Sequence, residues 1–157
     1  MGLIQDIRGG PVGLDTAAFI YLIEEHPRFL PVLQPVFAAM DAGRIEAVSS
    51  SLTLLEVLVV PYRAGDLPLA DRYEELLTRS RGLRLIEIDR AQLRAAAQLR
   101  GVHRGVKTPD AIQLCAALGG GCTTFITNDR DLPSIPGLQV LQLKDYVRSK
   151  GWDRSRS

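Results

Sequence analysis

Four acids carry the chemistry that this chain of 157 residues suggests: Asp15, Glu56, Asp110 and Asp129. Asp15 closes the apolar segment 11–15 and Asp129 follows 123–127, and both segments read as short β-strands. Glu56 interrupts Leu52-Thr-Leu-Leu-Glu-Val-Leu-Val-Val60, a helical run apolar nearly all round, where an ionised carboxylate is expected to be buried unless something compensates it. A salt bridge to Arg63 is one compensation and a metal ion is another. Asp110 falls in the first turn of a helix opened by Thr108-Pro109, a place the helix dipole favours without any catalytic duty. Taken singly, Asp15 and Asp129 also suit a helix cap or a turn. As a set the acids conflict, because gathered carboxylates repel and raise one another's pKa. A hard divalent cation, Mg²⁺ or Mn²⁺, held by their oxygens removes the conflict.

Alternating strands and helices must position such a set. Strands are expected at 11–15, 45–49, 83–88, 123–127 and 138–143. Helices are expected over 16–24, 28–42, 52–60, 67–80, from Asp89 to about Val102, over 108–118, and as a short last helix over 144–150. Pro31 and Pro35 weaken the second helix, and Pro61 is expected to end the third. Ser50-Ser51, Asp89 and Thr108 are candidate N-caps; Gly43 and Gly119-Gly-Gly121 are candidate stops. The pattern predicts one α/β domain over 1–150, with a mainly parallel central sheet flanked by helices on both faces, and a mobile basic tail at 151–157. Ligands of such sheets bind beyond the carboxyl ends of the strands, so Asp15 and Asp129 are expected at one edge.

An apolar fraction of 46% with 24% charged residues excludes a disordered, collagen-like or coiled-coil chain. No apolar run approaches the ~20 residues needed to cross a bilayer, and residues 1–10 lack the apolar stretch of a secretory signal. Cys115 and Cys122 are too few for a disulfide framework, which fits a reducing cytoplasm. Both are expected to be structural, Cys115 packing beside Ile112 and Leu118. A net charge of +1 weighs against a nucleic-acid partner only if charge is evenly spread. With four or five acids committed to one pocket, the remaining surface is more basic than that sum. Aromatic residues are 6% and are not interleaved with a basic run, so base stacking is unsupported.

The runs Gly13-Leu-Asp15-Thr-Ala-Ala-Phe19, Ser51-Leu-Thr-Leu-Leu-Glu56-Val-Leu, Thr108-Pro-Asp110-Ala-Ile-Gln-Leu and Phe125-Ile-Thr-Asn-Asp129-Arg-Asp131-Leu occur in order along the chain. In this the chain resembles PIN domains, and among them the VapC-like toxins of toxin-antitoxin pairs. The resemblance implies a metal-dependent endoribonuclease in which Asp15, Glu56, Asp110 and Asp129 gather Mg²⁺ or Mn²⁺, with Asp131 an added acid at the pocket's edge. It also implies an antitoxin partner that occludes the site, a homodimer and an RNA substrate. Thr16, Thr127 and Asn128 are candidates to hydrogen-bond the acids or a phosphate. Arg104, Lys107 and Arg130, adjacent in sequence to Asp110 and Asp129, are the candidate RNA-binding cations. A metal-independent ribonuclease using His26 and His103 with Lys107 has little support from two lone histidines. Aspartyl phosphotransfer at Asp15 lacks the acid two residues on, since Ala17 stands there. A non-catalytic module of the same fold, binding RNA or protein, is the remaining alternative.

Overall fold

The structure is a computed structural model that describes residues 2–147. The tail expected at 151–157 and the end of the helix expected over 144–150 lie outside the described residues.

A four-residue helix α1 (Leu3–Asp6), not expected from the sequence, leads into β1 (Val12–Leu14), which is buried throughout. Asp15 ends the strand and caps α2 (Thr16–Ile23), its Oδ1 accepting from the Thr16 amide at 2.6 Å. The following helix, α3 (Leu30–Asp41), continues past Pro35. Its buried face of Leu33, Val36 and Met40 outweighs one missing hydrogen bond, and both Pro31 and Pro35 are on the exposed side.

After β2 (Ala47–Ser50), α4 spans Leu52–Arg63, so Pro61 does not end it. Proline removes a single bond near the helix end while Thr53, Val57 and Pro61 form one buried stripe at four-residue spacing. The helix is also not buried all round, since Leu55 is 60% and Val60 64% exposed. Capping differs from expectation as well: the Leu52 amide is met by the Ser50 hydroxyl at 3.0 Å, while Ser51 at the cap position makes no side-chain bond.

Asp66 caps α5 (Leu67–Arg79), and β3 (Leu83–Ile86) is shorter than its apolar run. Asp89 caps α6 (Arg90–Val102) as expected, accepting from the Gln92 amide at 2.8 Å. By contrast α7 (Thr108–Gly119) begins on Thr108, with Lys107 in the cap position and Pro109 second. The Thr108 hydroxyl is taken by Arg100 Nη1 at 2.8 Å instead of capping the helix. The chain closes with β4 (Thr124–Thr127), β5 (Gln139–Gln142) and a 3-10 turn at Leu143–Tyr146.

All five strands are parallel, in the order β3-β2-β1-β4-β5. Side chains alternate across the sheet, so Val12, Leu14, Ala47 and Ile126 join one core with Phe19, Leu33, Met40 and Tyr73 from α2, α3 and α5. Val48 and Phe125 point the other way, into a smaller core under α7 with Leu114 and Ala117. Gly13 lets α7 approach β1 this closely: a Cβ there would lie 2.7 Å from the Phe125 ring and 2.9 Å from Ala117 Cβ. Gly13→Ala is therefore expected to destabilise the fold by about 1–3 kcal/mol through overpacking. Urea denaturation checks this as a lower midpoint at unchanged slope.

Candidate active site

The strand order changes direction at β1, since β2 is on one side and the chain returns across the sheet to place β4 on the other. The crevice beyond the carboxyl ends of β1 and β4 is the switch point where parallel sheets bind ligands. Asp15 stands there. Its amide donates to the Ile126 carbonyl at 3.1 Å, and its Oδ2 accepts from the Thr127 hydroxyl at 2.6 Å. Thr127 also accepts from the Asp129 amide at 3.0 Å, so one threonine ties two acids together.

From α4, Glu56 turns its Oε1 to the Thr16 hydroxyl at 2.6 Å, while the amide of Thr16 holds Asp15. Thr16 thus links a second pair of acids. Glu56 is half-buried, and among the described residues it makes no ion pair with Arg63 or any other base. Asp110 enters from the first turn of α7, also half-buried. Electrostatics bring the four into one set. Burial pushes the Asp15 carboxyl up, hydrogen bonds from Thr127 and Thr16 pull it down, and the charges of Glu56 and Asp129 push it up again. Asp110 is raised first by burial, then by Asp129, Asp15 and Glu56, with Lys107 opposing.

Among the described residues no three acid, histidine or cysteine side chains converge closely enough to enclose an ion as they stand. The donor set of the four acids is entirely oxygen, two members are held above the ordinary aspartate value, and no ion pair to any of them occurs among the described residues. An all-oxygen donor set of this kind is of the type that suits a hard divalent cation. Asp131 is exposed, and its amide donates to Asp129 Oδ1 at 2.9 Å. A cavity of about 880 Å³ lined by Leu3, Ile4, Pro31, Val32 and Tyr146 shares no residue with the acids.

Other expected site residues divide. Thr16 and Thr127 hydrogen-bond the acids directly. Asn128 instead braces the surrounding chain, donating to the Tyr21 hydroxyl at 3.2 Å and accepting from the Lys144 amide at 3.0 Å. Arg130 is paired with Asp145 at 2.7 Å on the surface, whereas Arg104 and Lys107 are exposed and form no ion pair among the described residues. His26 accepts the Arg28 and Phe29 amides and packs on Tyr21 and Phe29, a local structural role. Cys115 and Cys122 are buried and free, their thiols pushed up by burial, Cys122 to about 11. Cys115 packs with Ala96, Val106, Ala111 and Ile112, while Leu118 is 39% exposed.

Two residues at the acids were not among the expected site residues, although Thr53 shares a helix face with Glu56. Gln113 is 4% exposed, and its Nε2 donates to Thr53 Oγ1 at 2.9 Å and Thr16 Oγ1 at 3.1 Å, with Glu56 Oε1 at 3.3 Å. Thr53, fully buried, in turn contacts Ser49 Oγ at 2.8 Å. A signal existed: Gln113 is the polar residue in an apolar run and stands three positions after Asp110, on the same helix face.

The chain matches the PIN domain family over residues 12–138. No curated protein sequence gives a significant match. Among solved structures, the VapBC2 complex of Rickettsia felis bound to a promoter DNA fragment superposes with a TM-score of 0.64 at 16% identity, covering 85% of this chain and 98% of that one. A toxin-antitoxin complex from Klebsiella pneumoniae superposes with a TM-score of 0.61 at 23% identity, and DNA-bound VapBC from Salmonella typhimurium with 0.60 at 22%, each covering 85% of this chain and 98% of theirs. With its five parallel strands, the acids beyond their carboxyl ends and a family match over most of its length, the chain belongs to the PIN domain family.

Proposed function

We propose that this chain is a Mg²⁺- or Mn²⁺-dependent endoribonuclease that hydrolyses RNA phosphodiester bonds as the toxin component of a toxin-antitoxin pair. The carrying observation is the set Asp15, Glu56, Asp110 and Asp129, placed within electrostatic reach of one another with no ion pair to any of them among the described residues. A bound divalent ion would supply an activated water and stabilise charge on the phosphate. The chain's own part is to hold the carboxylates: Thr16 and Thr127 fix Asp15 from two sides, and Thr16 fixes Glu56. Arg104 and Lys107, exposed beside the start of α7, suit the RNA backbone. Arg130, shared with Asp145, suits it less.

Two of the solved neighbours are VapBC structures and another is a toxin-antitoxin complex, which supports a cognate antitoxin as partner. Exposed apolar side chains on α4 and α5, Leu55, Val60, Tyr62 and Leu67, support a protein partner, an antitoxin or a second copy of the chain as a homodimer. No helix among the described residues is long and apolar enough to cross a membrane. A second reading, a non-catalytic module that binds RNA or protein, draws on the acids not converging as they stand.

Incubation of the protein with total RNA and Mn²⁺ is expected to give discrete cleavage that EDTA abolishes. Cleavage persisting in EDTA would sink the metal reading, and absence of both cleavage and Mn²⁺ binding would favour the binding module. Asp110→Asn is expected to lower cleavage at least about 100-fold while circular dichroism is unchanged. The same variant reports on repulsion. Because the folded Asp110 carboxyl is raised, its charge destabilises the metal-free fold at neutral pH, and the penalty vanishes as pH falls through the raised value toward 3.8. Metal-free Asp110→Asn is therefore expected to melt a few degrees higher than wild type at pH 7, with the gap closing on acidification. Thermal melts in EDTA across that range measure it.

A further inference from the structure

We propose that Gln113 is a positioning residue for Glu56: its buried amide sets the direction of the hydrogen bonds that aim the Glu56 carboxylate at the metal. This rests on the metal-site reading above.

Proton bookkeeping carries it. The Ser49 hydroxyl donates to the Leu14 carbonyl at 2.9 Å, an atom that only accepts. Its single proton is then committed, so the 2.8 Å contact between Ser49 and Thr53 takes its proton from Thr53. The Thr16 hydroxyl is 2.6 Å from Glu56 Oε1 and 3.3 Å from Thr53 Oγ1, and its one proton goes to the nearer, charged acceptor. Both threonine oxygens are left as acceptors, and the two protons of Gln113 Nε2 meet them at 2.9 and 3.1 Å. Turning the amide over would set its oxygen against Thr16, Thr53 and Glu56 with no proton between them, so the network admits one orientation. It runs from Gln113 through Thr16 to Glu56 Oε1, and from Gln113 through Thr53 and Ser49 to the β1 carbonyl just before Asp15. Only Oε1 of Glu56 is engaged by these bonds.

The other end of the amide explains why this is not a packing role. Gln113 Oε1 is buried with no hydrogen-bond partner among the described residues. A buried carbonyl oxygen left so destabilises the fold, and an apolar side chain of equal length would avoid it. The hydrogen bonds of this side chain are thus all made by its nitrogen, which faces the acids.

Mn²⁺ titration calorimetry and metal-free thermal melts on the full chain test the inference. Gln113→Met keeps length and volume; it is expected to melt at or above the wild-type temperature, yet to bind Mn²⁺ about 10- to 100-fold more weakly. Thr53→Val is expected to weaken binding in the same direction and Thr53→Ser to restore it, which keeps the test open should the Gln113 variant fail to fold. Wild-type Mn²⁺ affinity in Gln113→Met, or equal affinities in Thr53→Val and Thr53→Ser, overturns the positioning role and leaves the metal site standing. A wild-type chain that binds no Mn²⁺ overturns both.

Discussion

The hydrogen bond from Thr127 to Asp15, 2.6 Å long and spanning 112 positions of sequence, is the contact on which the site depends. It exists because β4 adds in parallel beside β1, aligning Leu14 with Ile126 and so setting the next residue of each strand side by side. With the Asp15 amide bonded to the Ile126 carbonyl and its carboxylate capping α2, this acid is fixed by a strand, a helix start and a hydroxyl at once. Asp129 follows from the same bond, since Thr127 accepts its amide. A shift of β4 by one residue would turn Thr127 to the other face and separate both acids.

Around that contact the fold accepts an electrostatic conflict. Burial and mutual repulsion raise Asp15 and Asp110, and among the described residues hydroxyls and an amide, not basic side chains, hydrogen-bond the Asp15 and Glu56 carboxylates. Neutral donors orient a carboxylate without cancelling its charge. A lysine or arginine in the same place would offset that charge. Close packing makes the arrangement possible: Gly13 lets α7 settle on β1, and α7 brings Asp110 and Gln113 from one helix face to the side of Thr53 and Glu56 on α4.

Much of this was legible in the residues, for reasons that can be named. Asp15 and Asp129 could be read because each follows a short apolar run, and parallel strands place their carboxyl ends together. Glu56 stood out because a charge inside an apolar helix needs an explanation, although the helix exposes Leu55 and Val60 and the acid is only half-buried. Pro61 misled, since the loss of one late hydrogen bond is smaller than the gain of a buried stripe. Arg130 and Asn128 looked available for a phosphate, but Asp145, Tyr21 and Lys144 take their polar atoms, and no local pattern announces partners 15 or more positions away.

By itself the sequence determined the alternation of strands and helices, the five-strand α/β class, and the acids at strand ends and helix starts, because period and capping are local properties of the chain. Only the tertiary structure decided which hydroxyl holds which carboxylate, which cations remain free at the surface, and that a buried glutamine faces Glu56. Those depend on how α4 and α7 pack over the sheet, to within an ångström, and hydrogen bonding is sensitive at that scale where hydrophobic patterning is not.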